Sequence, residues 1–263
     1  MTGVGSVLAR GHFGEWLQGR MGADGPLVLI TLPCPDLTVR LSAGAGSPVL
    51  FDDAALAVFA ARLGMTVPVW PALASDIPPG CGAGASTATL VALARAIGFD
   101  GAPEVLARAC IAVEGASDPL MFETPDTLLW AAREARIVDR FAPPPHAEIV
   151  GGYWGPPERT KPEDVDFPDI SDLIAPWRDA VTGGDLARLA TLATESAERC
   201  RTLRGPDDPL LQLVRDTGAL GYARAHTGSA RALIFAPGTA PDTVMSALAE
   251  VGCANVFRFR TRR

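Results

Sequence analysis

The stretch Ile77-Pro-Pro-Gly-Cys-Gly-Ala-Gly-Ala-Ser-Thr-Ala-Thr-Leu90 constrains the chain more than any other. Two prolines and three glycines close together forbid a strand or a helix up to Gly84. From Ala85 to Ile97, by contrast, Leu90, Val91, Leu93, Ala94 and Ile97 recur at helical spacing. The pattern predicts a flexible-backbone loop feeding the N-terminus of a buried helix. Glycines 80, 82 and 84 can adopt positive φ and let a ligand approach the backbone, while the helix start offers unpaired N–H groups and the positive end of its dipole. Phosphate fits such a place. Ser86 and Thr87, in the first turn, add hydroxyls able to bond a phosphate or to ligate magnesium, which prefers oxygen. An ordinary Gly/Pro loop with a serine N-cap would give the same local pattern.

Lysine usage narrows the chemistry. The 263 residues contain a single lysine, Lys161, in a polar RTKPEDVD segment that reads as loop. A Walker A loop needs lysine at its end, a protein kinase needs one on a strand, and a pyridoxal phosphate enzyme needs one for its Schiff base; Lys161 suits none of them. A Rossmann dinucleotide site would want its glycines directly after a buried strand, and Ser75-Asp-Ile-Pro-Pro79 is too polar and proline-rich, although Asp100 stands near the required acidic position. The net charge of −7 argues against a nucleic-acid partner. With 48% hydrophobic residues but no apolar run near the ~18 residues of a membrane span, the expectation is a globular cytoplasmic protein without a membrane partner. Cys34, Cys81, Cys110, Cys200 and Cys253 lie far apart and form no C-x-x-C pair, which points to reduced thiols.

Three further stretches carry polar groups in notable company. Ala112-Val-Glu-Gly-Ala-Ser-Asp118 sets Glu114 and Asp118 four residues apart where a helix gives way to a loop; two such carboxylates can divide metal binding from activation of a hydroxyl. A helix-terminal Glu and a solvated Asp turn is the alternative. Ala225-His-Thr-Gly-Ser-Ala-Arg231 is a small-residue turn whose Gly228 and Ser229 could bring N–H groups against a phosphate or substrate. Gly11-His-Phe-Gly-Glu-Trp-Leu-Gln-Gly19 places Glu15 and Gln18 among turn-forming glycines, and reads by itself as a surface hairpin. The histidines His12, His146 and His226 are not at metal-ligand spacing, and a structural or surface role is expected of each.

Strands are expected at Val7 to Leu8, Leu27 to Leu32, Leu37 to Leu41, Ala147 to Gly152, Arg231 to Phe235 and Asn255 to Phe259. Helices are expected at Ala85 to Ile97, from Pro103 to near Gly115, and at Pro125 to Arg136, Ser171 to Val181, Asp185 to Arg201, Pro209 to Ala225 and Pro241 to Val251. This mixed order suggests an α+β fold. The Pro- and Gly-rich segment from Phe141 to Pro168 marks a domain boundary near Pro145, giving domains 1–145 and 146–263.

In order and spacing, the four stretches GHFGEWLQG, IPPGCGAGASTATL, VEGASDPLMF and AHTGSARALIF resemble the GHMP kinases, and within them the L-threonine kinases of cobalamin synthesis and propanediol utilisation. The resemblance implies a ribosomal-protein-S5-domain-2-like N-terminal domain followed by a ferredoxin-like α/β sandwich domain, with ATP and Mg2+ between them. It implies that Pro79, Gly80, Cys81, Gly82, Ala83, Gly84, Ala85, Ser86 and Thr87 cradle the nucleotide phosphates, and that Ser86 and Glu114 hold magnesium. Asp118 becomes the catalytic base, while Glu15, Gln18, Gly228 and Ser229 belong to the side of the small hydroxyl-bearing substrate. The implied reaction is phosphorylation of L-threonine to O-phospho-L-threonine for the cobalamin nucleotide loop. Kinases of another small alcohol such as homoserine, or a fold that binds nucleotide without turnover, share the pattern. The chain departs from it in three places: the loop lysine is Cys81, the first serine of the pair is Ala85, and Glu114 to Asp118 is one residue longer.

Overall fold

A computed structural model describes residues 6–42, 50–158, 161, 163–205 and 207–261. The chain opens on two long antiparallel strands, β1 (Val7–Arg20) and β2 (Leu27–Leu41), followed by helix α1 (Asp53–Leu63) and the short strand β3 (Leu73–Ser75). Helices α2 (Ala85–Ala96) and α3 (Pro103–Glu114) come next, then strands β4 (Leu128–Ala131), β5 (Arg136–Arg140) and β6 (Glu148–Tyr153). Helices α4 (Ser171–Gly183), α5 (Leu186–Arg204) and α6 (Leu210–Thr217) lead to β7 (Gly221–Arg224) and β8 (Ala230–Phe235), and the chain closes with α7 (Val244–Glu250) and β9 (Ala254–Arg260). The strands form one sheet in the order β5-β4-β2-β1-β7-β8-β6-β9, with β3 on β2. It is an α+β architecture with antiparallel strand pairs.

Helix starts follow from local chemistry. Asp52 caps α1 by accepting the Ala55 N–H at 2.8 Å, and Gly64, at φ +66°, ends the helix. Pro103 sits in the first turn of α3, where its missing N–H costs nothing, and Gly115 closes it at φ +78°. Two expected helices are corrected. Over Pro125 to Arg136 the chain makes a single 3-10 turn at Pro125–Thr127 and then β4 and β5, because Leu128, Leu129, Trp130 and Ala131 are all buried in the sheet beside β2; only the turn between the strands carries the helix-favouring Ala, Arg and Glu. The helix expected to reach Ala225 stops at Thr217, capped by Gly218 at φ +72°, and Gly221–Arg224 is strand. The expected surface hairpin at Gly11 to Gly19 is instead the buried middle of β1, where Phe13, Trp16 and Leu17 are in the core. The strand-like runs before residue 42 merge into β1 and β2.

The strands before residue 145 and those after it meet in the sheet at one residue pair, Glu15 of β1 with Arg224 of β7. Packing carries the rest of the joint. The Phe13 ring lies 5.3 Å from Tyr153, 5.1 Å from Phe257 and 5.7 Å from Phe259, centroid to centroid. Residues 141–147 link β5 to β6 without regular structure. Among the described residues no helix is long and apolar enough to cross a membrane.

Candidate functional site

The loop between β3 and α2 turns through three left-handed glycines, Gly80, Gly82 and Gly84, at φ +74°, +72° and +75°. Its carbonyls face the protein. Gly80 O accepts from Glu158 N at 2.7 Å, Gly82 O from Gly14 N at 3.1 Å and Ala83 O from His12 N at 3.2 Å, while Cys81 O accepts from both Ser229 N and Ala230 N at 3.2 and 2.8 Å. A peptide whose carbonyl is tied back turns its N–H the other way, toward the front of the loop. There α2 begins at Gly84 with no capping side chain, so its first N–H groups open onto a cleft of about 370 Å³.

Glu15, Gln18, Pro79, Gly80, Gly82 to Thr87, Glu114 and Asp118 all line this cleft. Four sequence segments therefore do converge. Three sequence-predicted residues stand elsewhere. Cys81 is buried, its thiol 3.7 Å from Pro79 O. Gly228 and Ser229 support the loop from behind: a Cβ on Gly228 would come within 2.5 Å of Gly82 N, and the Ser229 hydroxyl is buried without a hydrogen-bond partner. Lys161 is exposed and outside regular structure.

The acidic groups are held by hydroxyls and a ring. Ser86 Oγ donates to Glu114 Oε2 and Thr87 Oγ1 donates to Glu114 Oε1 at 2.9 Å, while Thr87 Oγ1 accepts the Asp118 N–H at 3.3 Å. Burial and the neighbouring Asp118 charge push the Glu114 carboxyl well above its usual range, with Thr87 pulling the other way. Among the described residues no cationic side chain pairs with Glu114. A hydroxyl and a carboxylate, both hard oxygen donors lacking a cation, fit magnesium.

Sequence reasoning assigned His12 a merely structural or surface role, and the geometry gives it more. Its Nε2 lies 3.1 Å from Asp118 Oδ2, and its Nδ1 lies 3.1 Å from Gly14 O and 3.5 Å from Glu15 Oε1. In a regular strand His12 and Glu15, three apart, would point to opposite faces. Irregular pairing of β1 with β2 between His12 and Glu15, with Gly14 at φ +71°, brings both into the cleft. Burial alone would lower the His12 pKa, but Asp118 and Glu15 outweigh it and raise it to about 9. Burial pushes the Glu15 carboxyl up, opposed by His12, and its Oε2 has no hydrogen-bond partner. His226 also reaches the cleft; it stacks on Phe167 at 5.9 Å, and burial, with Arg224 and Arg204, holds its pKa well below the usual value against a weak pull from the Gln18 backbone. No periodicity marks either histidine, since each depends on a bulge or turn beside it. Together, the site can hold an anion at the loop and a cation at Glu114, and present the Asp118 carboxylate to a proton donor in the same cleft.

No protein-family model and no curated protein matches the chain. Solved structures do. The chain is similar to the phosphomevalonate kinase of Streptococcus pneumoniae at 11% identity, covering 96% of this chain and 97% of that one with a TM-score of 0.62. It is similar to the mevalonate kinase of methicillin-resistant Staphylococcus aureus at 15% identity, with 95% and 96% covered and a TM-score of 0.56. The homoserine kinase of Cytophaga hutchinsonii aligns at 14% identity over 96% and 93%, with a TM-score of 0.55. The chain has the GHMP kinase fold.

Proposed function

We propose that the protein is an ATP-dependent kinase of a small hydroxyl-bearing metabolite, with L-threonine as acceptor. The observation that carries this reading is the convergence at Thr87: a hydroxyl in the first turn behind the glycine loop bonds both Glu114 and the backbone of Asp118. Phosphoryl transfer asks for little covalent chemistry from a protein and much positioning. In this reading the front N–H groups of Gly80 to Thr87 hold the ATP phosphates. Ser86 and Glu114 would hold magnesium, which when bound would supply positive charge against the phosphoryl oxygens. Asp118 orients the acceptor hydroxyl and takes its proton as the new O–P bond forms and the bond to the ADP oxygen breaks. Glu15 and Gln18 line the acceptor side, and Gly228 and Ser229 act by keeping the loop in shape. Residues 1–145 serve as the ATP-binding domain and 146–263 as the second domain.

The choice of L-threonine rests on the resemblance of the four motifs, and with it the product's destination in the cobalamin nucleotide loop. ADP release with magnesium and ATP, measured across L-threonine, L-serine, homoserine and mevalonate with the product identified by mass, tests the reading. L-Threonine-dependent ADP with phosphothreonine supports it; turnover of another alcohol replaces the acceptor; ATP binding with no turnover on any of them makes the protein a nucleotide-binding one.

A further inference from the structure

We infer that His12 is held as an imidazolium and is the resident cation of the cleft, a positioning residue that fixes the carboxylate of Asp118. The hydrogen-bond inventory requires it. Nδ1 faces the Gly14 carbonyl, which can only accept, with the Glu15 carboxyl beyond, and Nε2 faces the Asp118 carboxylate. A neutral imidazole has one N–H and would turn a lone pair on one of these oxygens; only the doubly protonated ring satisfies both. A proton on Asp118 would balance the count as well, but the Asp118 side chain keeps 24% of its surface exposed whereas that of His12 keeps 3%. The buried ring, with an oxygen on each side, is compensated at both nitrogens.

The charge has no other source. Asp118, Glu15 and Glu114 all line the cleft, and among the described residues His12 makes the one ion pair to Asp118 and to Glu15. The Asp118 and Glu15 carboxyls, together with the Gly14 carbonyl, are what face or lie next to the ring, from β1 and from the loop that follows α3. The ring is packed against the loop: a Cβ on Gly84 would come within 2.5 Å of His12 Cδ2, and the His12 backbone N–H donates to Ala83 O. The phosphate loop and the Asp118 carboxylate thus share one cation, in a chain whose loop carries Cys81 and no lysine. With Oδ2 committed to His12, Oδ1 is left for the acceptor.

The role of Asp118 toward a hydroxyl rests on the proposed function; the charge state of His12 does not. Side-chain 1H–15N spectra of the labelled protein, with its three histidines, decide the charge state without any activity. At about pH 7.5 one ring is expected with both nitrogens protonated, and in Asp118→Asn that signature is expected to move toward neutral. Three neutral rings, or an imidazolium unmoved by Asp118→Asn, would overturn the inference. A divalent ion gathered by His12, Glu15 and Asp118 would also need a neutral ring. In the kinetic arm, His12→Gln is expected to lower kcat roughly 10- to 100-fold with little change in acceptor KM. An imidazolium by spectroscopy with kcat unchanged in His12→Gln, or with the loss confined to acceptor KM, overturns the positioning role, and absence of turnover in the unmodified protein with every acceptor counts against the kinase reading while the spectra still decide the charge.

Discussion

Thr87 Oγ1 donates to Glu114 Oε1 at 2.9 Å across 27 residues of sequence, which ties the first turn of α2 to the last residue of α3. The tie brings a carboxylate to the mouth of the glycine loop and leaves it without a cation among the described residues. Glu114→Gln keeps an acceptor for Thr87 and removes the charge. We expect the magnesium concentration for half-maximal turnover to rise about 10- to 100-fold. In magnesium-free buffer near pH 8 the variant should melt no lower than the parent, because a carboxylate held far above its usual range opposes folding when ionised. A drop of several degrees would show that the carboxylate stabilises the fold instead.

Asp118→Asn is the corresponding test of the base. The amide keeps the shape, and the backbone N–H of residue 118 can still donate to Thr87. kcat is expected to fall by about 10² to 10⁴, while the Kd for ATP, read by calorimetry, changes little. A matching loss of nucleotide affinity would move Asp118 from the acceptor to the phosphate side.

Gly82→Ala separates strain from collision. A Cβ there would lie 2.2 Å from Ala225 Cβ and 2.6 Å from Thr227 O, at φ +72°. Gly238, at φ +78°, has open space around the same position. The left-handed conformation costs an L-residue about 1–2 kcal/mol, so Gly238→Ala should show that cost alone in chemical denaturation. Gly82→Ala should lose more and also lose ATP binding. Equal stability losses, with nucleotide binding intact, would show that the loop yields easily.

Much of this architecture was legible in the sequence, for reasons that differ by element. The loop and α2 were readable because three glycines and a buried 3.6-residue period occur side by side, and α3 because Pro103 and Gly115 punctuate it. Helix α1 had signals that were passed over, an Asp52 cap and the Gly64 stop. Strands β4 and β5 were hidden: Ala132, Arg133, Glu134 and Ala135 favour helix locally, yet Ala135 sits at φ +48° in a turn fixed by the pairing of Leu128–Ala131 with β5. His12 was hidden because no pattern in one sequence announces a bulge that turns two residues, three apart, to the same side.

Stability should fall on the alkaline side. The His12 pKa is raised from 6.5 to about 9, so its contribution is complete below about pH 6.5 and is lost as the pH rises toward 9. Glu15 and Glu114, also raised, contribute in the same direction, as do the buried thiols of Cys34 and Cys253 at the upper end. His226, held low, opposes this decline only at the lower end of the range, where the unfolded chain still binds part of its proton, and adds no slope above about pH 8. Melting temperature without ligand should therefore decline between about pH 7 and pH 9, and decline less in Asp118→Asn. A flat profile in the parent protein would contradict the burial of these groups.

The carbonyl of Cys81 takes its two donors from Ser229 and Ala230, and Gly82 is closed in by Ala225 and Thr227. On a ribosome, His12 and Gly14, which hold Ala83 O and Gly82 O, are made before the loop, but the donors to Cys81 O are made long after it. Until β7 and β8 have been made and docked, Cys81 O lacks those two partners, and the glycines around it keep more of their wide conformational range. The full shape of the loop is thus completed late, as a product of tertiary closure as well as of the local motif, and depends on the arrival of the C-terminal strands.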